Sequence, residues 1–325
     1  MKNNNLKAAV IGCGNIGGLY DTPTSKSITT HAHAYINHKN TKLRSCCDIN
    51  IKNLQSFKNI WGRDINTYTS LEEMLKRESL DIVSIATDSS SHFEILKRLL
   101  STDIKYIICE KPFVSTLDEL SQIQKLLKYS DKKLIINFIR CFDPTMKKVK
   151  KLIKSNKLGK VLSFNAFCNK GIYHNGSHLL SLIEYLMQDI KSIEVKNKFI
   201  KEDDIYGNFL LKTKNITGTV TNFDKTDFSI FTMNIVLEKG YIEINNSGFE
   251  VNVYKSKKSN RFKGFNHLRP YKKYKNTLKN YAMNSLKFLL TQKSNKQLKK
   301  HLSISRKLLV LRESFLKKKT RKVKL

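Results

Sequence analysis

The residues from Tyr106 to Phe113, Tyr-Ile-Ile-Cys-Glu-Lys-Pro-Phe, join an apolar run to a carboxylate, an ammonium and a proline. The run is β-branched and aromatic, too short for a helix and stopped by proline, which predicts a buried parallel strand over Tyr106 to Cys109. Pro112 cannot continue a ladder, and it biases Lys111 towards extended backbone. Glu110 and Lys111 are thereby held stiffly at the carboxyl end of a strand, where open α/β sheets place their ligands. An ammonium in that position can stabilise a developing alkoxide or relay a proton. Taken alone, the stretch also fits a strand-ending ion pair on the surface; the sequence on both sides favours the first reading.

The elements that would position this pair begin at Leu6 to Ile11, a first strand that leads into Gly12-Cys13-Gly14-Asn15-Ile16-Gly17. In a Gly-x-Gly-x-x-Gly turn the first glycine permits the tight turn and the second lets backbone approach a pyrophosphate. The third lets the following helix pack against the strand. The amino terminus of that helix then offers N–H groups to phosphate. A second strand, Leu43 to Cys47, ends in Asp48, the acid needed to hold the adenosine ribose. Between them Tyr20 to Thr30 is a polar, proline-bearing insertion, expected to be a loop over the cofactor or substrate, before a helix containing His31 and His33. These histidines fall on different helix faces without a nearby third ligand, so no metal site is expected. Further strands at Asp81 to Ala86 (followed by Thr87 to His92), Ile104 to Cys109 and Lys133 to Phe138 alternate with helices at Ser70 to Arg77, Phe93 to Leu100 and Leu117 to Tyr129. Such alternation with short loops predicts a doubly wound parallel sheet.

Beyond Asp143-Pro144, which caps and opens a helix over Met146 to Ser155, the pattern changes. Val161 to Phe167 begins a strand, and Gly171-Ile172-Tyr173-His174-Asn175-Gly176-Ser177-His178 enters an apolar helix, Leu179 to Met187. Strands at Asn208 to Lys212, Ile216 to Asn222, Ser229 to Leu237, Tyr241 to Ile244 and Glu250 to Tyr254 follow, with Gly218, Gly240 and Asn246-Ser247-Gly248 marking turns. Hairpin after hairpin predicts a large, mostly antiparallel sheet with one face packed. Leu278 to Leu290 and Ile304 to Leu316 read as amphipathic helices.

At 325 residues, with 40% hydrophobic residues, the chain is long enough for two domains with their own cores. The expected boundary gives residues 1–140 to a dinucleotide-binding domain and 141–325 to a substrate-binding and oligomerisation domain. No run is long enough to span a bilayer and the Asn-rich start is unlike a signal peptide. The six cysteines are scattered without a Cys-x-x-Cys pair, so neither zinc nor a disulfide frame is indicated. A reduced, cytoplasmic protein is expected. The net charge of +33 suits an anionic partner, but the lysines are strewn throughout, which favours a solvated surface over specific nucleic-acid binding. Only Lys317 to Lys324 is a concentrated basic block.

The glycine turn, the acid after the second strand, Thr87 after the fourth, and above all Glu110-Lys111-Pro112 followed by Asn137-Phe138-Ile139-Arg140 and Phe142-Asp143-Pro144 resemble the Gfo/Idh/MocA family of NAD(P)-dependent oxidoreductases. The resemblance runs over nearly the whole chain. It implies an α/β chain: an N-terminal Rossmann domain, then a C-terminal α+β domain whose last helix returns to the first. It implies cofactor contacts from Gly12, Gly14, Asn15, Ile16, Gly17, Asp48, Thr87, His92, Glu110 and Lys111, with Glu110 positioning the cofactor. Lys111 and His178 are the implied catalytic pair, and Lys111, Arg140, His174, Asn175 and His178 the substrate contacts. The cofactor is expected to be NAD, since the carboxylate of Asp48 repels a 2′-phosphate, and NADP is disfavoured. The chain departs from the family pattern where an aspartate usually stands four residues before the histidine, here His174, and where an acid often follows three after it, here Ser181. The charge partner of His178 is therefore open.

The implied reaction is hydride transfer between nicotinamide and a hydroxyl-bearing carbon of a sugar or nucleotide-sugar. The Thr-His-Ala-His-Ala-Tyr segment and the His174–His178 stretch look like the branch associated with bacterial surface-polysaccharide synthesis, and the family commonly forms homodimers or homotetramers through the open sheet face. Two other readings stand beside it. One is a lyase or hydrolase that uses tightly held NAD for transient oxidation. The other is a non-catalytic NAD-binding protein that docks nucleic acid or membrane through Lys317 to Lys324.

Overall fold

A computed structural model describes residues 5–201, 204–224, 226–317 and 322–325. The chain divides into two compact units, Met1–Ile139 with Lys279–Arg306, and Arg140–Leu278 with Lys307–Leu325. The segment Lys279–Arg306 thus returns to the first unit.

In the first unit, strands β1 (Leu6–Ile11), β2 (Thr41–Cys47), β3 (Asn66–Tyr68), β4 (Ile82–Ile85), β5 (Tyr106–Cys109) and β6 (Lys133–Ile136) form a sheet of order β3-β2-β1-β4-β5-β6. Every pairing in it is parallel. Ala8, Ala9, Val10, Ile82, Val83, Ile107 and Ile135 are fully buried, because a parallel sheet is covered on both faces and its strands read as continuous apolar runs. The strand order reverses between β1 and β4, and the crevice at such a switch point is where doubly wound sheets bind ligands.

Helices α1 (His31–Asn37), α2 (Ile51–Trp61), α3 (Leu71–Arg77), α4 (His92–Leu100) and α5 (Leu117–Lys128) connect these strands. Their starts follow from capping chemistry. Ser70 accepts from Glu73 N–H at the head of α3, and Thr116 accepts from Glu119 N–H at the head of α5. One expectation is corrected: the glycine turn does not open a regular helix. Asn15–Leu19 makes a single wide π-helical turn, with the N–H groups of Gly18 and Leu19 both donating to the Gly14 carbonyl, and α-helix resumes only at His31. The polar segment after Leu19 takes over the chain, as described below.

The second unit is built on strands β7 (Val161–Asn169), β8 (Ser192–Lys201), β9 (Asp204–Lys212), β10 (Thr217–Phe223), β11 (Phe231–Leu237), β12 (Gly240–Asn245), β13 (Glu250–Lys258), β14 (Asn266–Lys275) and β15 (Lys322–Lys324). Their order is β14-β13-β12-β11-β7-β10-β9-β8-β15, with β7 and β10 parallel and the other pairs antiparallel. Phe164, Ala166, Cys168, Phe209, Leu211, Val220, Met233 and Ile235 are buried on one face, at every second position. Helix α6 (Pro144–Lys154) is capped by Asp143, which accepts from Thr145 and Met146 N–H at 2.8 and 3.2 Å with proline in the first turn.

Helix α7 (Gly176–Leu186) follows the Gly171–Asn175 turn. Helix α8 (Tyr281–Thr291) packs in the first unit against α1, β5 and β6, and the division between units falls within α9 (Lys296–Lys317). Of the basic block at Lys317 to Lys324, residues 318–321 lie outside the described residues, and Lys322–Lys324 pairs with β8 at the sheet edge. All six cysteines are buried, and none forms a disulfide.

Candidate functional site

The first unit brings its predicted cofactor residues to adjacent strand ends. Gly12 follows β1 with φ +91°, and a Cβ there would meet the Ala86 carbonyl carbon at 2.5 Å, so only glycine lets the turn lie against the end of β4. A Cβ on Gly17 would lie 1.9 Å from the Gly12 carbonyl oxygen, which requires glycine for the chain to close on itself. Gly14 is different: nothing of the protein lies within 4 Å of its Cβ position. Its missing side chain leaves open space beside the backbone, which fits a pyrophosphate cradle.

Asp48, at the end of β2, is wired to this turn. Its Oδ2 accepts from Cys13 N–H at 2.8 Å and from Asn53 Nδ2 at 3.1 Å, while Oδ1 accepts from Asn50 N–H at 2.8 Å. The carboxylate is half-buried and ties the glycine turn to β2. Thr87 follows β4 with its hydroxyl 2.7 Å from Ser91 Oγ. His92 is buried, its Nδ1 2.7 Å from the Pro112 carbonyl and its Nε2 3.0 Å from the Thr87 carbonyl. It therefore braces the end of β4 against the Glu-Lys-Pro turn, in which the Lys111–Pro112 peptide is cis.

Glu110 sits at the centre of a buried polar chain. Its Oε1 accepts from Asn137 Nδ2 at 2.5 Å and lies 3.1 Å from His31 Nε2; Ser285 on α8 donates to Asn137 Oδ1 at 2.6 Å. Burial alone would raise its carboxyl, but His31, Asn137 and the Lys111 ammonium outweigh that and hold it below its ordinary value. Glu110 is thus an ionised carboxylate that fixes the turn carrying Lys111.

The Tyr20–Thr30 insertion is organised by Asp21. This buried carboxylate accepts from Thr29 N–H at 2.7 Å, Thr29 Oγ1 at 2.6 Å and Thr30 N–H at 2.7 Å, and lies 3.1 Å from His33 Nδ1. Thr30 in turn caps α1 by accepting from His33 N–H. His31 and His33 therefore face two different carboxylates, and among the described residues no cluster of His, Cys, Asp or Glu is arranged to hold a metal ion.

In the second unit, His178 lies in the first turn of α7, buried to 8% exposure. The turn before it is held by a residue that sequence reading missed. Asp204, at the start of β9, accepts from Tyr173 N–H at 2.8 Å, Ile205 N–H at 2.7 Å and His174 N–H at 2.9 Å. Burial raises its carboxyl, and those three N–H groups with Arg312 do not fully offset this. The available signal was an acidic run, Glu202-Asp203-Asp204, in a lysine-rich chain. Ser177 donates to the His174 carbonyl and Ser181 to the His178 carbonyl. Arg140 is buried, stacked 3.6 Å over the Phe231 ring and donating to the Ser247 carbonyl at 3.0 Å.

Comparison with known proteins gives this arrangement a context. Residues 6–138 match the Gfo/Idh/MocA family, described as an oxidoreductase family with an NAD-binding Rossmann fold. An uncharacterized oxidoreductase of Schizosaccharomyces pombe is 26% identical over 165 residues, 51% of this chain and 42% of that protein. Inositol 2-dehydrogenase of Salmonella typhimurium is 21% identical over 203 residues, 58% of this chain and 57% of that enzyme. The chain spans about half the length of these curated relatives. In structure, the WlbA dehydrogenase of Chromobacterium violaceum, solved with NADH and UDP-GlcNAcA, superposes with a TM-score of 0.75 at 17% identity, covering 100% of this chain and 97% of that one. That likeness shows a shared fold across the whole chain.

Proposed function

We propose that the protein, whose residues 6–138 match the NAD-binding Rossmann fold of the Gfo/Idh/MocA oxidoreductases, is an NAD-dependent dehydrogenase or reductase acting on a hydroxyl-bearing carbon of a sugar or nucleotide-sugar. The observation that carries this reading is the convergence in the first unit. A glycine turn with open space at Gly14, a ribose-side carboxylate at Asp48 and the Glu110-braced Lys111 turn all lie at carboxyl ends of one parallel sheet. Gly12, Gly14, Asn15, Ile16 and Gly17 would hold the pyrophosphate and Asp48 the adenosine ribose, with Thr87 alongside. His92, occupied with two carbonyls, would act by bracing the turn.

Bound NAD would supply the hydride acceptor. Lys111 would place a positive charge against the substrate oxygen as it becomes an alkoxide, and His178 would receive the hydroxyl proton. His174 and Asn175 precede His178 by four and three residues and are assigned to substrate contacts. Arg140 joins them at the substrate side, its guanidinium set by Phe231 and Ser247. The NADH and UDP-GlcNAcA in the WlbA dehydrogenase structure and the activity of inositol 2-dehydrogenase support a polyol, sugar or nucleotide-sugar as substrate. A role in surface-polysaccharide synthesis, a cytoplasmic location and assembly through the open face of the second unit's sheet complete the proposal.

The test is absorbance of reduced nicotinamide with NAD and a panel of polyols and nucleotide-sugars, after identifying nucleotide released from the purified protein. Reduction of NAD by one of them supports the reading, and Lys111→Ala should then cut turnover about 100-fold or more while NAD still binds. Near-normal turnover in that variant would remove Lys111 from the mechanism. A sugar converted without net NAD reduction would favour transient oxidation, and absence of any nucleotide binding would end the proposal.

A further inference from the structure

From Lys255 to Lys275 the chain carries lysine or arginine at nine positions and no aspartate or glutamate. This segment is the β13–β14 hairpin, at the edge of the second unit's sheet. The pairing of β12 with β13 runs only from Asn245–Glu250 to Gly240–Lys255, whereas β14 continues to pair with β13 as far as Lys258. The last part of the hairpin is therefore a two-stranded arm without a third strand, and nearly every residue of β14 is exposed. A two-stranded ribbon in water is marginal by itself and does not bury a core.

Lysines on an edge strand are a device against unwanted pairing, and would need no partner to explain them. The tip is the opposite of such a device. Phe262 is 50% exposed, Phe265 68% and Leu268 51%, all on or beside the turn. The turn is built to hold them there. Ser259 Oγ accepts from Arg261 and Phe262 N–H at 3.2 and 3.0 Å, Ser259 N–H donates to the Phe265 carbonyl at 2.8 Å, and Gly264 takes the left-handed φ of +87°. The two phenylalanine rings lie edge to face with centroids 6.5 Å apart.

We infer that this arm docks the protein on an anionic lipid surface, with Phe262 and Phe265 entering the headgroup region and the cations behind them facing lipid phosphates. Apolar rings at a convex tip with flanking Lys and Arg match the two parts of interfacial binding, buried apolar area and attraction to anionic headgroups. The cations favour this over nucleic acid by their distribution. On the arm Lys255, Lys257 and Arg269 fall on one face of the ribbon and Lys258 on the other, with Arg261 and Lys263 in the turn beside the rings, whereas Lys273 lies at the root, paired with Glu250 at 2.7 Å. A single strand of nucleic acid needs its cations and stacking rings along one face. A tip entering a membrane is surrounded by phosphates and uses both. The redox site takes no part in this inference.

The test is flotation of the full chain with phosphatidylcholine vesicles, with and without phosphatidylglycerol, for the natural sequence and the double variant Phe262→Ser, Phe265→Ser. The variant keeps every charge. The natural protein should float with the anionic vesicles and not with the neutral ones, and the variant should lose about tenfold or more of the bound fraction while its melting temperature and NAD binding stay unchanged. Absence of flotation with anionic vesicles overturns the inference. So does flotation undiminished in the variant, which would reduce the binding to diffuse charge. Phenylalanine-dependent binding to a single-stranded oligonucleotide without vesicle binding would overturn it in favour of nucleic acid, and loss of a dimer in the variant without vesicle binding would overturn it in favour of a second copy of the chain.

Discussion

Gly171 and Asp204 fit so closely that a Cβ on the glycine would lie 2.0 Å from Oδ2 of the aspartate. The carboxylate needs that space to reach the N–H groups of Tyr173 and His174. Gly171 also has φ +74°. Gly171→Ala should therefore cost about 2–3 kcal/mol of stability, read as a lower urea midpoint, and should disturb the turn that leads into His178. A variant with unchanged midpoint and turnover would show that the turn tolerates its displacement.

The three glycines after β1 should separate by assay. Gly17→Ala drives a methyl into the Gly12 carbonyl and should lower stability by about 3 kcal/mol. Gly14→Ala meets no protein atom, so the melting temperature should barely change while NAD affinity falls about tenfold or more. Fluorescence titration with NADH beside thermal melting distinguishes the two. Equal NADH affinity in Gly14→Ala would place the pyrophosphate elsewhere.

Glu110 predicts a pH signature. Its folded carboxyl titrates below its ordinary value, so ionisation favours the folded state above that ordinary value, and the contribution fades as pH falls through the folded one. Glu110→Gln should lower stability at neutral pH and flatten the acid limb of the curve of urea midpoint against pH. A variant whose acid limb matches that of the natural protein would assign the limb to other carboxylates.

Asp48 should govern the choice of cofactor. Asp48→Ala removes the acceptor proposed for the ribose hydroxyls and frees the Cys13 N–H, and should weaken NAD about 10- to 100-fold. NADP should be weakened much less, because the repelling carboxylate is gone. Isothermal titration with both nucleotides gives the ratio; a parallel loss for the two would show that Asp48 acts only through the glycine turn.

The first unit was largely legible because its strands are short, buried on both faces and punctuated by glycine and proline. The second was partly so. β8 and β14 escaped notice because lysines interrupt their alternation: Lys196, Lys198 and Lys201 in one, and Lys272, Lys273 and Lys275 in the other. At an edge or near it, one or both faces meet water and the apolar pattern that marks a strand is absent. The Asp204 bond to the Tyr173–His174 backbone spans some thirty residues, and no local spacing encodes such a contact. The polar chain from His31 through Glu110 and Asn137 to Ser285 was hidden for the same reason.

That chain ends on α8, which reaches the first unit only after the second has been traced. During synthesis the amino-terminal sheet therefore leaves the ribosome without the helix that packs on β5 and β6, and without the serine that bonds Asn137. At about 5–20 residues per second, roughly ten to thirty seconds separate Ile139 from Arg306. The nascent Rossmann sheet is a natural client for a chaperone over that interval, and a fragment cut at the domain boundary would stay in that incomplete condition.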